Sequence, residues 1–318
     1  MTAAGGAIEP GAMKALDPKL CGIFVCPACG GPLDRRSATA LTCASGHAVP
    51  VVRGIPQFVE SDRYVGSFSF EWNTHSQTQL DVYRGDASSE DMLRRKTGLT
   101  PELVRGKLVL DAGVGAGRFA DVLSRWGAAV VGVDLSYAVE AAHRNFADRP
   151  GVLIAQADIG RLPFGEGTFD AIISIGVLHH TPDTRAYFRR LVPLLKPGGR
   201  IAIWVYPREG SFVTRNAWIP FTSRIPPAAF YAWCRWFVPL AHRHLHAAPI
   251  RMISRIFPFS AQGLGLENDI LDTFDGYSPR FHGIHSPDEV EGWFRECGLV
   301  DIERHPISTA VSGVRPAA

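Results

Sequence analysis

Two groups of residues in this 318-residue chain have types and spacings that could do chemistry. The first is Cys26-Pro-Ala-Cys29 followed by Cys43-Ala-Ser-Gly-His47. Cys-x2-Cys then Cys-x3-His supplies four ligands for a tetrahedral zinc ion, and four protein ligands leave no open position, so the metal would be structural. A Gly-Gly-Pro turn follows Cys29 and Gly46 lies inside the second pair, which lets short backbone N–H groups face the thiolates. Cys21 is a spare thiol that fits the spacing less well. The second group begins with Asp111-Ala-Gly113-Val-Gly115-Ala-Gly117. Its glycines let the backbone turn tightly and approach a ligand, and the unpaired N–H groups of a helix starting there favour an anionic group. Asp134 ends the next apolar run, where its carboxylate could accept bonds from a ribose diol, and Asp158 ends the third, where it could meet an adenine amino group. His179 and His180 follow the fourth run, and an imidazole titrates close enough to neutrality to act as a general base.

The elements that must position these groups can be read from the alternation of the chain. Between Lys107 and Tyr206, short β-branched runs (KLVLDAG, AAVVGVDLS, GVLIAQAD, TFDAIISIGV, RIAIWVY) alternate with helical segments (GRFADVLSRWG, YAVEAAHRNFAD, DTRAYFRRLVPLLKPGG). That rhythm predicts an α/β fold with a doubly wound, mostly parallel sheet. The last of these helices is expected to stop at Pro197 and its two glycines. A further helix is expected around Asp91–Leu99. Ser286-Pro-Asp-Glu289 reads as a capping box for EVEGWFREC, which stops at Gly298 before a late strand, LVDIERH.

At this point the sequence resembles a known family. DAGVGAG, VVGVDLS, QADIGRLPFGEGTFDAIISIGVLHH and LLKPGG are similar, in this order, to the successive motifs of class I S-adenosylmethionine (SAM)-dependent methyltransferases. The resemblance implies a seven-stranded Rossmann-like sheet with SAM as cofactor. It puts Gly113, Gly115 and Gly117 by the methionine moiety with Asp111 below, Asp134 and Leu135 at the ribose, and Asp158 and Ile159 at the adenine. Ser174, Ile175 and Gly176 would lie where cofactor and acceptor meet. His179 and His180 become candidate bases, and Tyr206 a wall of the acceptor pocket. The run DTFDGYSPRFHGIHS resembles a segment of related methyltransferases and adds Asp275, Tyr277, Arg280, His282 and His285 as pocket candidates, against the competing reading of a connecting loop that satisfies its own backbone. CPACGGPL…LTCASGHAVPVVRGIPQF resembles the zinc-ribbon module of tRNA-methyltransferase activator proteins, and its Cys/His spacing is similar to the zinc-binding start of bacterial rRNA guanine methyltransferases.

These readings divide the chain into a flexible leader (1–20), a zinc-ribbon module (21–60), a connector or lid (61–105), a SAM-binding core (106–207), a basic aromatic insert or cap (208–285) and a C-terminal helix with strands (286–318). Residues 208–260 carry seven Arg against one Glu. They are expected to form a helical cap whose Arg pair with Glu267–Asp275; an anionic lipid interface and an RNA-facing patch are the competing readings. A net charge of +2 does not by itself imply a nucleic-acid partner. Few basic residues surround the zinc ligands (Arg35, Arg36, Arg53), which weighs against RNA. With no secretory signal and a cysteine cluster suited to a reducing compartment, a cytoplasmic enzyme is expected. It would methylate O or N of a small-molecule or saccharide- or lipid-linked acceptor. The alternatives are an RNA base methyltransferase that positions RNA with its ribbon, and a non-catalytic SAM-binding scaffold.

Overall fold

The computed structural model describes residues 20, 22–34, 37–59, 66–69, 80–209, 211–243, 258–259 and 265–317. The expected leader, Cys21, Arg35, Arg36 and much of both the connector and the second half of the insert lie outside the described residues.

Five strands rich in Val, Ile, Leu and Ala run parallel: β4 (Leu108–Ala112), β5 (Ala129–Asp134), β6 (Val152–Gln156), β7 (Phe169–Ile175) and β8 (Leu195–Trp204). Their side chains are buried on both faces, as a sheet sandwiched between helices requires. With β9 (Val300–Arg304) and β10 (Ala310–Val314) they form one seven-stranded sheet in the order β6-β5-β4-β7-β8-β10-β9, in which β10 runs antiparallel to both neighbours. The chain winds outward from β4 to β6, returns to β7 and winds the other way. The order therefore reverses between β4 and β7, and a crevice opens at the carboxyl ends of those strands. Every expected cofactor residue lies at such a strand end or in the turn that follows it.

Helices α1 (Asp81–Arg84), α2 (Ser88–Thr97) and α3 (Pro101–Val104) precede the sheet. The helix expected around Asp91–Leu99 is α2, begun one turn earlier. Its buried residues, Ser89, Leu93, Lys96 and Thr97, follow helical spacing, and this stripe packs against β8, β10 and α4 (Arg118–Arg125). Helix α5 (Ala138–Asn145) follows β5. Helix α6 (Thr184–Leu191) opens with Asp183 Oδ1 accepting from the Ala186 N–H at 2.9 Å. It ends at Leu191, not at Pro197 as the sequence suggested. Pro193 falls in a single 3-10 turn, and Lys196–Gly199 already belong to β8. Pro193 has no N–H to continue the helix, so the earlier proline sets the boundary.

Before the sheet, β1 (Ala40–Thr42), β2 (Ala48–Val52) and β3 (Ile55–Pro56) make a small antiparallel sheet. This module has no core of its own. Phe24, Leu33, Leu41, Val49 and Val51 are buried in the same cluster as Leu153, Ala155, Phe164 and Phe169 of the large sheet. The chain then runs alongside β6: Gln57 pairs with Gln156 in a parallel bridge, and the Phe58 N–H donates to the Gln156 carbonyl at 2.8 Å.

The insert forms α7 (Ser211–Thr222) and α8 (Pro227–Arg243), packed on α9 (Leu266–Tyr277). Residues Asp272–Tyr277, read from sequence as part of a connecting run, are the last turns of α9. Ile270, Phe274 and Tyr277 recur at helical spacing and bury against Phe230, Tyr231, Cys234 and Val238 of α8. The insert Arg were expected to pair with Glu267–Asp275; the contact seen at that stretch is His242, 3.4 Å from Asp269, and Arg208 pairs instead with Glu289 at 3.1 Å. Ser286 and Glu289 form the expected capping box of α10 (Pro287–Glu296).

Candidate active site

At the first βα turn, Gly113 and Gly117 have φ of +99° and +100°. A Cβ on Gly113 would lie 2.3 Å from Val177, and one on Gly117 would lie 2.4 Å from Phe146, so both positions require glycine for conformation and for space. The Asp134 carboxylate is held from both sides. Oδ2 accepts from the Gly115 N–H at 3.0 Å, and Oδ1 accepts from the Ser136 N–H and hydroxyl at 2.8 and 2.7 Å. Burial raises its pKa while those bonds lower it. Asp111 lies on the neighbouring strand, and its Oδ2 is buried with no hydrogen-bond partner among the described residues. Burial, then the charge on Asp134, pushes Asp111 up to about 7. Two carboxylates sharing one buried corner favour a cation between or above them.

Asp158 accepts from the Gly160 N–H at 2.7 Å and caps the short turn Ile159–Arg161. Leu135 lends its carbonyl to the Gln156 amide at 3.0 Å, and its side chain is buried, like those of Ile159 and Ile175. Ser174 donates to the Ala112 carbonyl at 2.8 Å and so ties β7 to β4. Gly176, at φ +81°, donates its N–H to the Trp204 carbonyl at 2.9 Å, joining the ends of β7 and β8.

Across these strand ends lies a nest of rings. His179 stacks on Tyr206 at 3.7 Å between centroids and lies 4.1 Å from His180. The His180 Nδ1–H donates to the Phe281 carbonyl at 2.9 Å; a carbonyl can only accept, which fixes this tautomer. His179 is fully buried, and neither ring nitrogen has a hydrogen-bond partner among the described residues. Burial first, then the nearby cationic groups, holds its pKa well below the usual histidine value, so the imidazole is neutral at neutral pH. Tyr206 points its hydroxyl at Asp275, 3.5 Å away, and His282, bonded to Asn216, lies 4.9 Å from the Tyr206 ring. His285 bridges Glu289 and Thr184 at 2.9 and 3.1 Å.

Thus His179, His180, Tyr206, Asp275 and His282 converge. Three of the expected pocket residues do not join them, His285 being held by Glu289 and Thr184. Tyr277 is buried in the core of the insert, and Arg280 is exposed and lies over the Phe281 ring. The sequence reading missed Lys96, Trp204 and Arg118. Lys96 is buried with Nζ 3.3 Å from the centroid of the Trp204 ring. Burial holds its pKa well below the ordinary lysine value, Arg118 adds to this, and Asp272 opposes it. Arg118, the first residue of α4, is pushed down to about 10, chiefly by burial. Lys96 could have been found from its place on the apolar stripe of α2, seven residues after Ser89 and three after Leu93. A cavity of about 660 Å³ also opens beside Ile159, between Arg161 and the α6 residues Arg185, Arg189 and Arg190. None of the three turn glycines or Asp134 lines it.

In the N-terminal module, the ligand atoms of Cys26, Cys29, Cys43 and His47 all lie within 4.8 Å of one another. Cys29 Sγ is 3.7 Å from Cys43 Sγ, and His47 Nδ1 is 3.7 and 3.5 Å from the sulfurs of Cys26 and Cys43. A tetrahedron with Zn–S and Zn–N bonds of ordinary length has S···S and S···N edges of about 3.8 and 3.6 Å. The donor set and its spacing fit that ion. Gly30 and Gly46, at φ +71° and +85°, close the two turns.

Part of the chain is similar to known methyltransferases. Residues 110–203 match the family described as Methyltransferase domain. A demethylmenaquinone methyltransferase of Thermobifida fusca is 36% identical over 114 residues, which is 35% of this chain and 48% of that protein. A ubiquinone biosynthesis O-methyltransferase of Paracidovorax citrulli is 34% identical over 124 residues, 38% of this chain and 48% of that protein. The chain spans about half the length of the curated relatives it matches. Among solved structures, the magnesium protoporphyrin IX methyltransferase of Synechocystis PCC 6803 aligns with a TM-score of 0.46 at 17% identity, over 79% of this chain and 96% of that one.

Proposed function

We propose that this chain, whose residues 110–203 match the family described as Methyltransferase domain, is a class I SAM-dependent methyltransferase that transfers the SAM methyl group to O or N of a small-molecule or saccharide- or lipid-linked acceptor. One juxtaposition carries the reading. Around the point where strand order reverses, a glycine turn follows β4, a carboxylate held in place by Gly115 and Ser136 ends β5, and His179, buried and neutral with neither ring nitrogen hydrogen-bonded among the described residues, follows β7. When bound, SAM supplies a methyl group already activated by its sulfonium. Asp134 would accept both ribose hydroxyls, the turn at Gly113–Gly117 would lie against the methionine moiety, Asp158 and Ile159 would take the adenine, and Asp111 would offset positive charge. The protein's main contribution is then alignment of the acceptor with the S–CH3 axis. For a hydroxyl acceptor, His179 would take the proton; the Tyr206 stack and the Gly283 N–H bond to the His179 carbonyl, at 2.8 Å, hold the residue in place. Residues 208–285 would close over this side as a cap.

The Cys26, Cys29, Cys43 and His47 cluster would hold structural zinc and fasten the N-terminal module to β6. Metal analysis should find stoichiometric zinc, and Cys43→Ser should lose it. The function is tested by titrating SAM in a calorimeter and by incubating the chain with methyl-labelled SAM and fractionated lysate. Label is expected in a small-molecule or lipid fraction. Binding without transfer to any fraction would make the chain a scaffold, and label in RNA would make it an RNA methyltransferase.

No helix among the described residues is long and apolar enough to cross a membrane.

A further inference from the structure

The hairpin of α7 and α8 has two unlike sides. Its inner side packs on α9 through Phe230, Tyr231, Cys234 and Val238. On the outer side, Ala228, Ala229, Ala232, Trp236 and Leu240 make one exposed stripe along α8, and Pro220, Phe221, Ile225 and Pro226 are exposed at the end of α7 and the turn after it. Phe221 and Trp236 are 68% and 67% exposed, more than any other large apolar residue described. Arg224, Arg235, His242 and Arg243 are exposed among them. Residues 211–243 contain four Arg and neither Asp nor Glu. The acid that α9 turns toward α8, Asp269, is fully buried beside His242 and does not reach this surface.

We infer that the outer face of this hairpin docks on an anionic lipid surface. Charge decides among the possible occupants. A second copy would set Arg224, Arg235 and Arg243 against their own counterparts, with no acid among residues 211–243 to pair them. A nucleic acid would find the arginines and could stack on Phe221 and Trp236, but would have little use for the Ala, Leu, Ile and Pro that make up the rest of the face. A lipid headgroup layer suits both parts: arginine meets phosphate, and Trp and Phe enter the boundary between headgroups and acyl chains. The helix need not span anything, because a short apolar face with basic flanks lies in the plane of the interface.

The same hairpin reaches the candidate site from its other side. The Thr222 hydroxyl donates to the Tyr277 carbonyl at 2.5 Å, and Asn216 bonds His282, which lies beside Tyr206. A leaflet held against the outer face is thus connected through one layer of helices to the ring nest. That an acceptor dissolved in the leaflet passes inward rests on the function proposed above; the docking itself does not.

The test is sedimentation of the full chain with sucrose-loaded vesicles, made of equimolar phosphatidylcholine and phosphatidylglycerol or of phosphatidylcholine alone. The chain is expected to pellet with the anionic vesicles and to be released by high salt. A Phe221→Ser, Trp236→Ser double variant should bind about tenfold more weakly or worse. Both side chains are exposed, so its melting profile and its heat with SAM should match the parent's. An Arg224→Gln, Arg235→Gln, Arg243→Gln variant should lose roughly fivefold per arginine at low salt. No pelleting with anionic vesicles, equal pelleting with phosphatidylcholine alone, or a double variant that pellets like its parent would overturn the inference. So would retention on single-stranded RNA beads that the arginine variant abolishes while vesicles fail to bind. Failure of the methyltransfer reading has a different signature: no heat with SAM while pelleting is unchanged.

Discussion

The two sides of the crevice are built on opposite rules. On the proposed cofactor side, most of the polar side chains are already bonded to the protein: Asp134 to Gly115 and Ser136, Asp158 to Gly160, and Ser174 to Ala112. On the acceptor side, groups that prefer water are buried with little to satisfy them: His179 has no partner among the described residues, and Lys96 rests on an aromatic ring. The first side is finished before any ligand arrives. The second holds polar capacity in reserve, and holding such groups out of water costs stability unless a ligand uses them.

Substitutions should separate the two sides cleanly. The largest effect is expected on the finished side. On the function proposed, Asp134→Ala would remove charge-assisted bonds to two ribose hydroxyls and should weaken SAM binding by about a thousandfold in a calorimetric titration. Near-parental binding would mean that the carboxylate only shapes its turn. On the other side, His179→Ala should lower kcat by about a hundredfold and leave SAM affinity within about twofold. A change in affinity and not in turnover would erase the distinction. Because burial keeps His179 neutral, parental kcat should stay level as pH falls through 6.5, the ordinary histidine value.

Asp111 is the cofactor-side exception, and it predicts a smaller effect. With its pKa near 7, the carboxyl is neutral in acid and ionised in base, so affinity for cationic SAM should climb with pH through 7, by at most about tenfold per unit. Asp111→Asn should flatten that slope. The sign for stability is opposite. A carboxyl whose pKa folding has raised favours the folded state in acid, and that contribution is lost as pH rises through 7. The Asn variant should therefore melt higher than its parent at pH 8, by about 2–4 °C for each kcal/mol recovered. The smallest effect is that of Lys96→Met, which removes a buried cation and keeps the bulk. It should raise the melting temperature by about 2 °C while slowing turnover several-fold; a variant both stable and fully active would leave Lys96 without a part in the site.

The same contrast explains what could be read from the chain. The expectations for Gly113, Asp134 and Asp158 came from short motifs at successive strand ends, each recognisable within a few positions of the chain, whatever the distance to its partner (Asp158 bonds Gly160 two positions on, Asp134 bonds Gly115 across 19). The doubly wound, mostly parallel sheet followed from the βα rhythm. The acceptor side joins segments far apart in sequence: His180 bonds Phe281 across 101 positions, and Tyr206 reaches Asp275 across 69. No local pattern distinguishes Arg280, which faces outward, from His282, which faces in. Asp275 and Tyr277 were read within a connecting run because their neighbours are polar and glycine-bearing, yet burial of Ile270 and Phe274 against α8 makes that stretch helix.

The run of Gln57 and Phe58 along β6 has a further consequence. A parallel sheet ends in a row of unpaired amides and carbonyls, a template onto which another chain's strand can add. Here the N-terminal module runs beside that row and pairs with it at Gln156. Stripping its ligands would therefore be felt first as self-association of the protein, seen as turbidity and lost yield, before it was felt as lost turnover.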